Sequence, residues 1–256
     1  GAVLKLDDHY SMYAGYCEGF KMPTAQQLLT SVKYPTFNRM PSPNLKPESV
    51  KSYEAGLRGT FDNGWFSVGG FYSDYKDYIQ NLVVVAPNDF SYANLNRVKI
   101  SGIEASGNID LTPNWAMHAQ ASYQYGKQQK GADAEYAYFD NVAPLTASVG
   151  VKWKKPEWKF DAEVVGTVAH GVNKSSNPDL YKPRGYAVVD TYFNWQVAKN
   201  VHLNASIQNL FDRRYFSAPL ATTFSYKDSN SSKATNPLEL QVAPGRAFGL
   251  SLVANF

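Results

Sequence analysis

Apolar and polar residues alternate along this chain with a period of two, and helical periodicity is nearly absent. The last segment is the clearest case. Phe248, Leu250, Leu252, Ala254 and Phe256 fall on one side, and Ala247, Gly249, Ser251, Val253 and Asn255 on the other. In 201–209, Val201, Leu203, Ala205 and Ile207 oppose the fully polar set His202, Asn204, Ser206 and Gln208. Segment 115–125 sets Trp115, Met117, Ala119, Ala121, Tyr123 and Tyr125 against Ala116, His118, Gln120, Ser122 and Gln124. Successive side chains of a strand point to opposite faces, so each segment predicts a strand with one apolar face.

About ten such strands are predicted, near 9–20, 48–61, 65–79, 93–110, 115–126, 144–153, 158–169, 185–196, 201–211 and 245–256. Many run to ~10–12 residues, longer than the ~5–6 of typical strands and close to what a tilted strand needs to cross a bilayer. The connections 62–64, 111–114, 154–157 and 197–200 are tight, with Asn-Gly or Pro-Asn chemistry. The connections 21–47, 80–92, 127–143, 170–184 and 212–244 are long and rich in Pro, Ser, Asn and Tyr. Short turns on one side and long loops on the other describe a membrane barrel. A soluble β-sandwich has shorter strands and loops that do not segregate by length. All five Trp (Trp65, Trp115, Trp153, Trp158 and Trp195) lie beside short turns, where amphipathic rings form an interfacial girdle. The predicted class is all-β, a transmembrane antiparallel β-barrel.

Composition agrees. The chain has 256 residues, 14% of them aromatic, and a mean hydropathy of -0.39. No stretch approaches ~18 uninterrupted apolar residues, which excludes a bundle of spanning helices but not a barrel. Lys and Arg number 25 against 22 acids and form no long run, so nothing points to nucleic acid. The lone cysteine, Cys17, excludes an intrachain disulfide and a Cys-based metal site. Catalytic signatures such as Gly-x-Ser-x-Gly, a phosphate-cradling glycine loop or His-Glu-x-x-His are absent, and the expectation is that this is not an enzyme. The first residues, GAVLKLDDHY, carry no signal-peptide pattern, so either the protein is not secreted or its true start lies upstream.

Three segments resemble TonB-dependent outer-membrane receptors. Residues 13–24, YAGYCEGFKMPT, are similar to that family's strand ending in an aromatic-x-x-Pro turn. Residues 209–216, NLFDRRYF, resemble its Asn-Leu-Phe-Asp segment before the last long loop. Residues 244–256, PGRAFGLSLVANF, resemble its terminal strand, whose final aromatic, here Phe256, is read by the barrel-assembly machinery. Asn209 and Asp212 also suit backbone bonding where a strand leaves the sheet.

The first long loop carries a subfamily signal. Haem receptors of this family have a Phe-Arg-Ala-Pro box and an Asn-Pro-Asn-Leu box flanking one loop. Phe20 and Pro23 match the first, with Lys21 and Met22 replacing Arg and Ala; Pro43, Asn44 and Leu45 match the second, with Ser42 replacing Asn. The family's haem-ligating histidine between the boxes is missing, since 24–41 contains no His. Tyr34, before Pro35, is then the candidate axial ligand. A phenolate is a hard anionic donor suited to ferric iron, and the proline restrains Tyr34 to extended backbone. A packing aromatic fits the same position. Met40 is a softer candidate, with Lys33 and His170 behind it. His118 and His202, near the short-turn end, suit structural hydrogen bonds.

The resemblance implies a twenty-two-stranded transporter with a plugged lumen, in the outer membrane of a Gram-negative cell. Residues 1–256 would supply its last ten or so strands, with plug and energy-coupling box outside this chain. The expected function is capture of haem, from haemoglobin or a haemophore, and import to the periplasm powered by TonB–ExbB–ExbD through the plug. Expected partners also include outer-membrane lipid. A ferric-siderophore receptor and a passive porin or adhesin-like barrel are the alternatives.

Overall fold

The computed structural model describes residues 1–34, 38–176, 181–217 and 242–255. In chain order the elements are β1 (Ala2–Lys5), β2 (Tyr10–Lys21), α1 (Ala25–Leu29), β3 (Val32–Lys33), β4 (Asn38–Arg39), β5 (Glu48–Phe61), β6 (Gly64–Ala86), β7 (Asp89–Thr112) and β8 (Trp115–Gln129). They continue as β9 (Ala137–Tyr138), β10 (Thr146–Lys155), β11 (Phe160–Ala169), β12 (Tyr186–Ala198), β13 (Val201–Gln208) and β14 (Ala247–Ala254). One antiparallel sheet runs β1-β2-β5-β6-β7-β8-β10-β11-β12-β13-β14, with β1 and β14 as its edges. The short strands β3, β4 and β9 sit at the long-loop end, and β4 pairs with β7 in parallel.

Each of the ten expected strands is present, with four differences. A further strand, β1, pairs with β2 through Ala2↔Ala14 to Lys5↔Ser11. It is too short to show periodicity. The turn that folds it back is set by Asp7, whose carboxylate accepts from the backbone N–H of His9 at 2.8 Å and of Tyr10 at 2.7 Å. Second, 80–92 is not a long loop. β6 and β7 continue as one hairpin, 23 and 24 residues long, turning at Pro87 and Asn88, which has a φ of 65°. The apolar, β-branched run Leu82-Val83-Val84-Val85 favours strand and outweighs the nearby Pro, Asn and Ser. Third, β13 ends at Gln208 because Asn209 takes a φ of 49°. Fourth, residues 156–158 form a 3-10 turn and β11 starts at Phe160. Phe256 and most of the connection 212–244 lie outside the described residues.

Register assigns the faces. Met12, Leu57, Val68, Ala105, Ala121, Ala147, Val168 and Ala187 stand directly opposite one another across eight strands. This apolar row is bracketed by aromatic rows on the same face. Toward the long loops lies Tyr16, Tyr53, Tyr72, Ser101 and Tyr125. Toward the short turns, Tyr10, Phe61 and Phe66 have ring centroids 5.5–6.3 Å apart. Trp115 stands opposite Trp153 and Phe160 opposite Trp195. Trp65 differs from expectation: Phe66 takes the outward position and Trp65 the inward register. Trp115 and Tyr125 are ten residues apart on β8. That is about 33 Å of strand, or about 25 Å along the normal at ~40° tilt. It matches the apolar band of a barrel.

The opposite face is polar. It carries His118–Glu163 at 3.2 Å, Lys152–Asp161 at 3.0 Å and Lys154–Asp110 at 3.1 Å near the short turns, and Ser52–Ser73 at 2.8 Å higher up. His118 thus has a structural acid partner. His9 has its Nδ1 3.1 Å from the Thr60 carbonyl and stacks on Phe61.

Candidate functional site

The buried core cluster of the described residues lies at the long-loop mouth, not mid-wall. Leu95, Val98, Phe139 and Val142 are all at most 5% exposed, with Tyr75, Tyr78, Ile100 and Tyr138 packed against them. The connection between β8 and β10 therefore folds back onto the wall. Gly126 permits this: a Cβ there would stand 2.8 Å from Val142 Cγ1 and 3.0 Å from Phe139 Cβ. Burial, and then the Asp140 carboxylate, raise the Tyr138 phenol above its ordinary pKa, so it acts as a neutral hydroxyl. Asp140 in turn accepts from the Ser176 N–H at 2.9 Å and from its hydroxyl, latching this connection to the next one.

The connection between β2 and β5, which holds both family-like boxes, is ordered by local chemistry. Pro23 stops β2. Thr24 then caps α1 reciprocally with Gln27, at 3.2 and 2.9 Å. Beyond α1 the chain makes the β3–β4 hairpin, Val32↔Arg39 and Lys33↔Asn38. It then runs along the tip of the β6–β7 hairpin. The Asn38 N–H donates to the Asn88 carbonyl at 2.8 Å and the Met40 N–H to the Phe90 carbonyl at 2.7 Å. Ser42 bonds Ser91, donates to the Tyr92 carbonyl at 2.8 Å and accepts from its N–H at 3.1 Å. Asn94 clamps Lys46 from both sides, accepting its N–H at 2.8 Å and donating to its carbonyl at 3.1 Å. Pro43 and Asn44 form the turn closed by Leu45 N–H to Ser42 O at 3.2 Å. The Ser42 N–H reaches the Gln27 carbonyl at 2.8 Å, so the segments just after the first box and at the second are in direct contact.

The site residues read from sequence separate accordingly. Pro23, Pro43, Asn44 and Leu45 shape the two ends of this docked loop. Tyr34 begins the connection between β3 and β4 and is 38% exposed; Met40 follows β4 and is 37% exposed. Phe20 does not join them. It lies two positions beyond Glu18 in the outward register of β2, opposite Ser49, and is 79% exposed. Pro35 lies outside the described residues. His170 sits at the mouth in a concavity shared with Lys182 and Arg184. Its Nδ1 lies 2.7 Å from the Gly171 carbonyl. Sequence reading missed Asn38, Ser91, Asn94, Phe139 and the Asp140–Ser176 latch. Of these, Ser91 falls in the predicted loop 80–92 and Asn94 in the predicted strand 93–110, and neither assignment marks a loop-binding role. Among the described residues no three His, Cys, Asp or Glu side chains gather to hold a bare metal ion.

Comparison with known proteins follows the same lines. Residues 1–210 match the family described as TonB dependent receptor-like, beta-barrel. A Haemophilus influenzae protein named "Probable hemoglobin and hemoglobin-haptoglobin-binding protein 4" is 27% identical over 94% of this chain and 27% of its own length. The "Vitamin B12 transporter BtuB" of Photobacterium profundum is 29% identical over 73% of this chain and 31% of its own. The chain thus spans about a third or less of these curated relatives. Among solved structures, the "Copper transporter OprC" superposes with a TM-score of 0.77 at 22% identity, covering 98% of this chain and 38% of that one, a likeness of fold.

Proposed function

The chain belongs to the TonB-dependent receptor β-barrel family, whose members are outer-membrane receptors and not enzymes, and from that premise we propose that it forms the C-terminal part of a barrel that captures haem. In this reading the docked β2–β5 loop presents Tyr34 as the ferric iron ligand from the outer surface. The haem comes from haemoglobin or a haemophore. TonB–ExbB–ExbD, acting through a plug encoded outside residues 1–256, drives its import. Family membership removes the passive-porin alternative.

The supporting observation is the clamped loop itself. Both boxes end in contacts that hold the loop against rigid strands, with Tyr34 and Met40 left more than a third exposed at its tip. Preorganisation of this kind lowers the ordering cost of binding. The name of the Haemophilus relative points the same way. A second reading, a receptor for an anionic ferric chelate, draws on the basic concavity of His170, Lys182 and Arg184.

Tyr34→Phe in the full-length receptor tests the first reading, because it keeps the ring and removes the oxygen. The bound-haem absorption spectrum should change and haem uptake fall, with barrel expression unchanged. An unaltered spectrum excludes Tyr34 as ligand. Growth retained on haem but lost on a ferric siderophore in a Lys182→Gln, Arg184→Gln variant moves the assignment to the second reading.

A further inference from the structure

The docked loop is basic throughout. Residues 19–47 hold Lys21, Lys33, Arg39 and Lys46 and no acidic residue. Arg39 lies in β4, its Cζ 5.7 Å from the centre of the Tyr92 ring, a contact that fixes the guanidinium in place. Its Nε is buried, and among the described residues no acceptor meets it. No carboxylate of the described residues stands within ion-pair distance of it either. Asp89, at the hairpin tip, is in register with Asn38 and takes the Asn38 side-chain amide at 2.8 Å. Neighbouring residues of a strand face opposite ways, so Asp89 is turned to the side away from Arg39. A buried donor without an acceptor costs free energy that an incoming anionic oxygen recovers.

The same side of the β3–β4 hairpin carries Tyr34. Arg39 stands directly opposite Val32, and Tyr34, two positions on, returns to the Val32 side by the period of two. The two backbones are about 8 Å apart, from about 7 Å along the strand and about 5 Å across it. Lys33, opposite Asn38, takes the other side. In haem both propionates hang from one edge of the macrocycle. An iron ligand and a partner for a propionate are therefore neighbours on one surface, as Tyr34 and Arg39 are.

We infer that Arg39 binds a propionate carboxylate of the captured haem. The inference rests on the haem reading above and deepens it, adding a contact to the ligand's edge. Arg39 as a whole is only partly buried, so a ligand has access to the guanidinium. A carboxylate on its edge receives paired N–H donors in a planar fork and supplies the acceptor that Nε lacks.

The test titrates the full-length receptor, in uncharged detergent, with ferric haem and with ferric haem dimethyl ester, whose propionates are capped, and follows the Soret band. Haem should bind about tenfold tighter than the ester, the worth of one charge-assisted contact. Arg39→Gln should lower haem affinity by that factor and leave ester affinity unchanged. The spectrum of bound haem should stay the same, because the iron ligand is untouched. Arg39→Lys keeps the charge and should restore part of the preference for haem. Equal weakening of both ligands by Arg39→Gln means a structural role and overturns the proposal, as does an unchanged haem affinity. Loss of the preference in succinate at matched carboxylate concentration marks a general anion site and overturns it too. Failure of the haem reading looks different. A receptor that binds neither form ends both proposals. An unaltered spectrum in Tyr34→Phe removes that iron ligand, while an Arg39→Gln effect confined to haem still supports the propionate contact.

Discussion

Replacing Asn94 with Ala removes three hydrogen bonds at once: the two to Lys46 at 2.8 and 3.1 Å and one to the Asp77 carbonyl at 2.6 Å. None is deeply buried, so each contributes about 0.5–1 kcal/mol net, and the two to Lys46 together about 1.5 kcal/mol. Those two fall on the docked state of the β2–β5 loop; the third joins β7 to β6 within the hairpin. An opening equilibrium shifted by about 1.5 kcal/mol speeds amide exchange about tenfold. The readout is hydrogen–deuterium exchange of the full receptor in lipid nanodiscs, followed at the Lys46 amide and over 38–46. Those amides should lose protection while β5 and β8 exchange as before. If Tyr34 binds haem from this loop, haem affinity should fall in the same variant. Unchanged protection at Lys46 would refute the clamp and leave the backbone bonds of Asn38 and Met40 as the true anchors.

Phe139→Ala should release the in-folded connection. Burial of 97% of an aromatic ring is worth about 3 kcal/mol or more, so tryptic cleavage at Lys130 should accelerate about a hundredfold with the barrel intact. The Asp7 carboxyl is held below the usual carboxylate range, first by the Tyr10 N–H and then by that of His9. Its support of the β1–β2 turn is present above the ordinary carboxylate pKa and disappears as pH falls through the lowered one. Exchange at the β1 amides should therefore rise at acid pH in the parent, with Asp7→Ala showing the fast rate at neutral pH as well. Asp133→Cys should react with an impermeant maleimide on intact cells and Asn63→Cys should not; the reverse pattern inverts the orientation.

Period-two alternation carried the wall because a strand between lipid and lumen has two unlike faces, and every second residue reports one of them. Met117, Ala119 and Ala121 could not face the lumen side alongside Gln120 and Ser122. The signal failed where both faces meet protein. In the upper β6–β7 hairpin, Val83 and Ser91 pair above the membrane, loop 38–46 covers one flank, and alternation gives way to small polar residues that hydrogen-bond the loop. Ser91, in the predicted loop 80–92, reads as turn chemistry, and Asn94, in the predicted strand 93–110, as an ordinary strand residue. They are clamps, and nothing local in the sequence marks them as such. β1 was missed for a different reason, since four residues are too few to show a period.

The height of that hairpin bears on how the mouth works. From Tyr72 to Ala86, β6 continues for fourteen residues past the aromatic belt, about 46 Å of strand and about 35 Å along the normal at the same tilt. A loop of 26 residues between β2 and β5 has a large closure entropy if left free. Laid along a strand pair that already pays its own ordering cost, it gains fixed partners at Asn88, Phe90, Tyr92 and Asn94. The neighbouring connections are latched to each other through Asp140 and Ser176. The long-loop mouth is therefore carried on extended sheet and clamped loops. A conformational signal from a ligand at Tyr34 would reach the wall through the β6–β7 hairpin, whose register shifts at Gln80/Val83 and Val84/Ala86 lie level with the docked segment. Those bulges are the points where the hairpin can bend without breaking the membrane-spanning ladder.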